Sequence, residues 1–114
     1  MLTIEFIYNW NGKLYNNWFT TFRMLNPSKY KLGHTYLIVL KKGGVIVEKF
    51  EAILQDIYQC KLDSLPMILP ELDAGYPRGP FKNLIETMYK NKPINIYEKD
   101  WAFYLFERVV KLKY

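Results

Sequence analysis

Thr21 and Arg23 stand two residues apart in NNWFTTFRMLN, residues 16–26. With a period of two, Trp18, Thr20, Phe22 and Met24 share one side of a strand, and Phe19, Thr21 and Arg23 share the other. The second side pairs a hydroxyl and a guanidinium with an aromatic ring, an odd set for a surface that only needs to be soluble. A threonine hydroxyl can attack a carbonyl when a base takes its proton. A guanidinium suits a phosphate, a guanine edge or a developing oxyanion. Aromatic rings such as Phe19 and Trp18 can stack on a splayed base.

The partners for such chemistry are sparse. Lys13, on the preceding turn, could reach the site through space, but a lysine acts as a base only after desolvation or a cationic neighbour lowers its proton affinity. Glu71 or Asp73 could supply a carboxylate. Tyr76 and Arg78, in the loop DAGYPRGP at 73–80, would form the opposite wall of a cleft, and the helix N-terminus just after it favours phosphate. Each residue also has a plain reading. Trp18 shares its side with Phe22 and Met24 and so reads as core, Thr21 is an ordinary strand residue, Arg23 could pair with Glu5, and Asp73 could only shape the turn before Gly75. Arg108 reads as solvent-facing or paired with a carboxylate on a neighbouring strand.

The elements that must position these residues follow from periodicity. Leu2 to Tyr8 alternates as a first strand, and Asn11-Gly12 signals a turn. The Thr21/Arg23 strand comes next and is broken by Asn26-Pro27-Ser28. HTYLIVLKK (34–42) is apolar on both faces, which marks an interior strand. Gly43-Gly44 turns it into the long VIVEKFEAILQDIYQC (45–60), where Glu51 and Gln55 interrupt the pattern and predict a bulge as the sheet curls. LDSLPMILPEL (62–72) reads as a short broken helix, capped by Asp63 or Ser64 with Pro66 in its first turn. GPFKNLIETMYKN (79–91) spaces Phe81, Leu84, Ile85, Met88 and Tyr89 as one face of a second helix. DWAFYLFERVVKL (100–112) closes the set as another interior strand. The pattern predicts an α+β fold: one domain over 1–114, a small curled sheet or barrel of five to six strands, with two helices between the fourth and last strands.

Composition narrows the function classes. Half of the chain is hydrophobic, with ten Tyr, seven Phe and three Trp, which argues against disorder. The longest apolar runs fall far short of the roughly 20 residues of a membrane span. MLTIEFIYNW lacks a positive n-region and a cleavage site, so a cytoplasmic location is expected, with no membrane partner. Cys60 is the single cysteine and His34 the single histidine, so neither a disulfide nor a metal site is expected, and no cofactor is called for. Cys60 reads as a buried structural thiol. The net charge of +5 is compatible with a nucleic-acid partner, and the Lys29/Lys31 and Lys41/Lys42 pairs could add a nonspecific phosphate attraction. Only Arg23, Arg78 and Arg108 are Arg among sixteen cations, so each invites a question. The wealth of Lys, Asn and Tyr resembles small proteins of bacterial viruses.

The ordered set of TFR at 21–23, Lys31-Leu32-Gly33-His34, the Gly-Gly turn, FEAILQDIYQCKLDSLP, Asp73-Ala74-Gly75-Tyr76, a helix and an aromatic last strand resembles the ASCH domains of the PUA-like superfold. The resemblance covers residues 18 to 110; His34 stands where Asp is common. It implies a relative of RNA-binding modules, with a nucleotide or base lying between barrel and helices. Some small members are amidohydrolases that remove the acetyl group of N4-acetylcytidine through a Lys-x-x-Thr-x-Arg strand and a carboxylate from the helical segment. Thr21 and Arg23 match that strand, but Trp18 occupies the Lys position.

The expectation is accordingly a module that binds RNA or a modified nucleotide through Phe19, Thr21, Arg23, Tyr76 and Arg78, rather than an enzyme. Two alternatives stand beside it. One is an N4-acetylcytidine-type amidohydrolase using Thr21, Lys13 and Asp73 or Glu71. The other is a phage-encoded interaction protein docking on a host protein, for which an aromatic content of 18% would serve well.

Overall fold

Strands that are apolar on both faces must be covered on both, and the computed structural model, which describes residues 1–109, shows by what. Five strands form one sheet: β1 (Thr3–Phe6), β2 (Trp18–Met24), β3 (Thr35–Lys42), β4 (Val45–Cys60) and β5 (Trp101–Arg108). Their order is β1-β3-β4-β5-β2, with β1 parallel to β3 and the other pairs antiparallel. Helices α1 (Leu69–Ala74) and α2 (Arg78–Tyr89) lie between β4 and β5. This is the expected α+β arrangement, a five-stranded curled half-barrel with two helices between the fourth and last strands. Residues 110–112 of the expected last strand lie outside the described residues. No helix among the described residues is long and apolar enough to cross a membrane.

Both faces of β5 are buried because they serve different layers. Ala102, Tyr104 and Phe106 point into the curl with Phe19, Ile38 and Leu54. Trp101 and Phe103 face the other way, against Phe81 and Ile85 of α2. Neighbouring β2 alternates in step: Phe19 stacks on Phe106 at 5.5 Å, and Phe22 stacks on Trp101 at 4.9 Å.

The curl is made in β4. Its first half pairs with β3 and its second with β5, and the register shifts between Leu54 and Asp56, so Gln55 is the extra residue of a bulge. The interruption at Gln55 in the sequence is therefore the bend itself.

Three local expectations change. β1 stops at Phe6 rather than Tyr8, because the chain leaves for a 3-10 helix at Trp10–Tyr15, where only a turn was expected. Asn9 seeds that helix by accepting the Leu14 N–H on its carboxamide oxygen at 2.9 Å. The helix expected at 62–72 is split. Leu65 precedes Pro66, which disfavours helical backbone, and it sits extended at φ −61°, ψ 133°. A 3-10 turn at Leu62–Ser64 and the short α1 remain, the latter ended by Gly75 in the left-handed region (φ 78°). Third, Trp18 is not core. It opens β2 half-exposed, outside both apolar clusters.

The two tryptophans should therefore respond differently. Trp101→Ala empties a fully buried site and strands the Ile96 carbonyl that accepts its ring N–H, so urea unfolding should show a loss of about 3–5 kcal/mol. Trp18→Ala should stay within about 0.5 kcal/mol of the parent. A Trp18 loss as large as that of Trp101 would contradict this division of the core.

Candidate functional site

The sheet curls without closing. β1 and β2 end its strand order and hold no ladder with each other. The guanidinium of Arg23 bridges them instead, donating from Nη2 to the Glu5 carbonyl at 2.8 Å. Arg23 thus meets Glu5 through the main chain, while the Glu5 carboxylate pairs with Lys41 at 2.8 Å. That bond, reinforced by the Lys41 charge, holds Glu5 below the usual carboxylate range.

A cleft of about 760 Å³ opens at this gap, within the size range of small-molecule sites. One wall is α2, through Phe81, Leu84, Ile85 and Met88. The facing wall is the end of β1 and the residues after it, from Glu5 to Tyr8. The loop Asn26–Tyr30 closes one end.

Four polar side chains line its base, Lys13, Asp73, Thr21 and Arg23, and Thr20 backs them from outside the lining. Lys13 comes from the 3-10 helix and Asp73 from α1; both are buried, with the lysine Nζ 3.0 Å from Asp73 Oδ1. Thr20 points to the helix side of β2 and donates its hydroxyl to the same oxygen at 2.8 Å. Thr21 points into the curl, and Arg23 Nε donates to its Oγ1 at 3.1 Å. The Phe6 ring underlies both cations, 4.9 Å from the Arg23 guanidinium and 5.6 Å from Lys13 Nζ. Burial lowers the proton affinity of Lys13. The Asp73 charge and hydrogen bond oppose this, and the charge of Arg23 adds to it.

The edge of β2 bordering the cleft is also polar. Asn17 accepts from the Arg108 N–H and Leu25 donates to the Asp100 carbonyl, so the odd-numbered residues between them are the ones hydrogen-bonded to β5. The N–H and C=O groups of Phe22 and Met24, which line the cleft, consequently face away from β5 along the free edge.

Thr21, Arg23, Lys13 and Asp73 are thus brought together. Other expected site residues are elsewhere. Phe19 is buried among Phe6, Phe50 and Phe106, so its ring is core and has no face free for stacking. Tyr76 and Arg78 lie outside the cleft lining; Tyr76 packs edge-on against Trp10, which does line it. Glu71 is exposed on α1 and also outside the lining, so Asp73 is the carboxylate at the floor. His34 is exposed, and among the described residues no cluster of three or more His, Cys, Asp or Glu could hold a metal. Cys60 is half-buried, and burial pushes its thiol up to about 11, far from a reactive thiolate. The sequence reading missed Phe6, Trp10, Phe22, Met24 and Tyr30 as lining residues. A signal existed only for Phe22 and Met24, because an edge strand exposes its main chain whatever its side chains bury.

A buried ion pair stabilises little as a pair but is costly to break. Lys13→Met, which strands Asp73, should lower unfolding free energy by about 3 kcal/mol in urea titration. Adding Asp73→Asn, which keeps an acceptor for Thr20, should recover more than half of that loss. A single variant as stable as the parent would mean that water already solvates the pair.

No family model, curated protein or solved structure matches this chain.

Proposed function

We propose that the cleft binds a single nucleoside or nucleotide bearing a modified base. The observation that carries this reading is the buried Lys13–Asp73 pair at the floor of an open cleft, beside a half-buried guanidinium and a free strand edge. An ion pair that only filled space would be better replaced by apolar side chains. Perturbed charged groups that border a cavity are candidates for ligand contact. The free N–H and C=O groups of Phe22 and Met24 offer alternating donors and acceptors suited to the edge of a base. A cleft of about 760 Å³ suits one nucleotide better than a polymer. The half-barrel with its cleft beside the helices is also what a PUA-like relative would have, in keeping with the ASCH resemblance.

Isothermal titration with cytidine, N4-acetylcytidine and a short single-stranded RNA tests this. A nucleoside should bind, and Arg23→Ala should weaken it about tenfold or more, the loss of a charged hydrogen-bond donor. Affinity for the RNA alone, or affinity indifferent to Arg23, would defeat the proposal.

A specific observation also favours amide hydrolysis: Thr21 Oγ1 accepts from Arg23 in a cleft that contains a lysine of lowered proton affinity. Lys13 would supply from the 3-10 helix the amine that Trp18 cannot. In this reading Thr21 Oγ attacks the acetyl carbonyl of N4-acetylcytidine and its proton passes to neutral Lys13. Arg23 stabilises the oxyanion, and the base leaves as cytidine after taking a proton. Water then releases acetate from the acyl-threonine. Because Lys13 must be neutral, kcat/KM should rise with pH through a midpoint below 10.5, the ordinary lysine value. Chromatography of the nucleoside at several pH values decides it, and cytidine formation that survives Thr21→Ala would exclude this route.

A further inference from the structure

The cleft is electrically uneven. At its floor the charge of Lys13 is matched by Asp73. Toward the loop Asn26–Tyr30 the lining adds Arg23 and Lys29, and among the described lining residues the acid at this end is Glu5, which is paired with Lys41 and feels the charge of Lys29 more weakly. The groups that Arg23 hydrogen-bonds are neutral: the Thr21 hydroxyl, the Glu5 carbonyl and, beside them, the Tyr30 hydroxyl. Its charge is therefore held in place without a carboxylate taking it up.

Lys29 sits in a loop whose backbone is held at several points. Its N–H reaches both the carbonyl and the carboxamide oxygen of Asn26 at 3.2 Å. Its own carbonyl accepts from the Tyr36 hydroxyl at 2.6 Å, and the same hydroxyl accepts from Lys31 N–H at 2.7 Å. Asn26 N–H in turn donates to the Tyr104 hydroxyl at 3.2 Å. Two tyrosines rooted in the core thus set the backbone on either side of Lys29. The side chain is half-buried, with Nζ 5.4 Å over the ring of Tyr30, itself packed on Tyr104 at 4.2 Å. The backbone bonds fix where residue 29 sits, and the contact with the Tyr30 ring fixes where its ammonium lies.

We infer that the Arg23–Lys29 end of the cleft is a phosphate subsite, and that the ligand is a nucleoside 5′-monophosphate rather than the bare nucleoside. This rests on the nucleotide-binding reading above and adds the ligand's charge and direction. The base lies toward Lys13, Asp73 and the β2 edge; the phosphate lies beyond the Phe6 ring, between a planar guanidinium and a flexible ammonium. Arg supplies paired donors and Lys a point charge, a combination suited to the dianion of a phosphate monoester.

Titrations of the parent protein with cytidine, cytidine 5′-monophosphate, inorganic phosphate and a trinucleotide containing only phosphodiesters test the inference. The monophosphate should bind at least about tenfold more tightly than cytidine, and raising the salt should narrow that ratio. Lys29→Ala should reduce the ratio to about twofold, and Lys29→Glu should bring it to unity or below. Equal affinity for cytidine and its monophosphate overturns the subsite while leaving nucleoside binding intact. Tightest binding of the trinucleotide overturns it in favour of a polymer backbone. Failure of every ligand to bind overturns both the subsite and the reading beneath it.

Discussion

A curled sheet that stops short of closing has two edges whose N–H and C=O groups need partners. In this half-barrel one guanidinium spans the gap: Arg23 on β2 holds the Glu5 carbonyl of β1 and, with the same group, the hydroxyl of Thr21. A ladder between β1 and β2 would satisfy more backbone and would leave no cleft. A side-chain bridge keeps the edges at a fixed separation and leaves the space between them open. The charged cluster, the free β2 edge and the cationic end all follow from that one substitution of a side chain for a strand pairing.

The polar floor is the second consequence. Lys13 and Asp73 come from elements too short to be stable alone, a 3-10 helix and an α1 of six residues. Their pairing across the base of the cleft ties these two elements to each other and, through Thr20, to β2. Burial alone would drive Lys13 toward its neutral form, and Asp73 is what resists that. The charge of Arg23, whose guanidinium lies 4.9 Å from the Phe6 ring, adds to the lowering of the lysine's proton affinity.

Most of the fold was legible because its signals are local or periodic. The Gln55 interruption marked the bend, Gly43-Gly44 the hairpin, and strands apolar on both faces announced a sheet covered twice. The site was legible by half. Alternation correctly put Thr21 and Arg23 on one face, but the same alternation sent Phe19 into the buried interior of the curl, while Arg23 reached the cleft. Period-two reasoning assigns a face and is silent on depth along it. Tyr76 and Arg78 lie outside the lining for another reason. Their loop follows Gly75, and Tyr76 packs against Trp10, which lines the cleft in their place. Lys13 could be suspected but not assigned, since only the 3-10 helix seeded by Asn9 turns it inward.

The scarcity of arginine and the abundance of aromatic rings now have accounts within the fold. Phe19, Phe22, Trp101, Phe103 and Phe106 pair their rings between strands, so the aromatic content by itself is no sign of an external interface. Of the three arginines, two grip main-chain carbonyls at opposite ends of the same construction. Arg23 holds Glu5, and Arg108 donates to the Leu14 carbonyl at 2.8 Å while lying 3.8 Å over the Phe50 ring. Leu14 directly follows Lys13 in the 3-10 helix. Arg108, which had no role in the sequence reading, therefore fixes the element that presents the buried lysine, as Arg23 fixes the edge that faces it. Lysines could not replace either one on equal terms, because a planar fork can hold a carbonyl and lie flat on an aromatic ring at once.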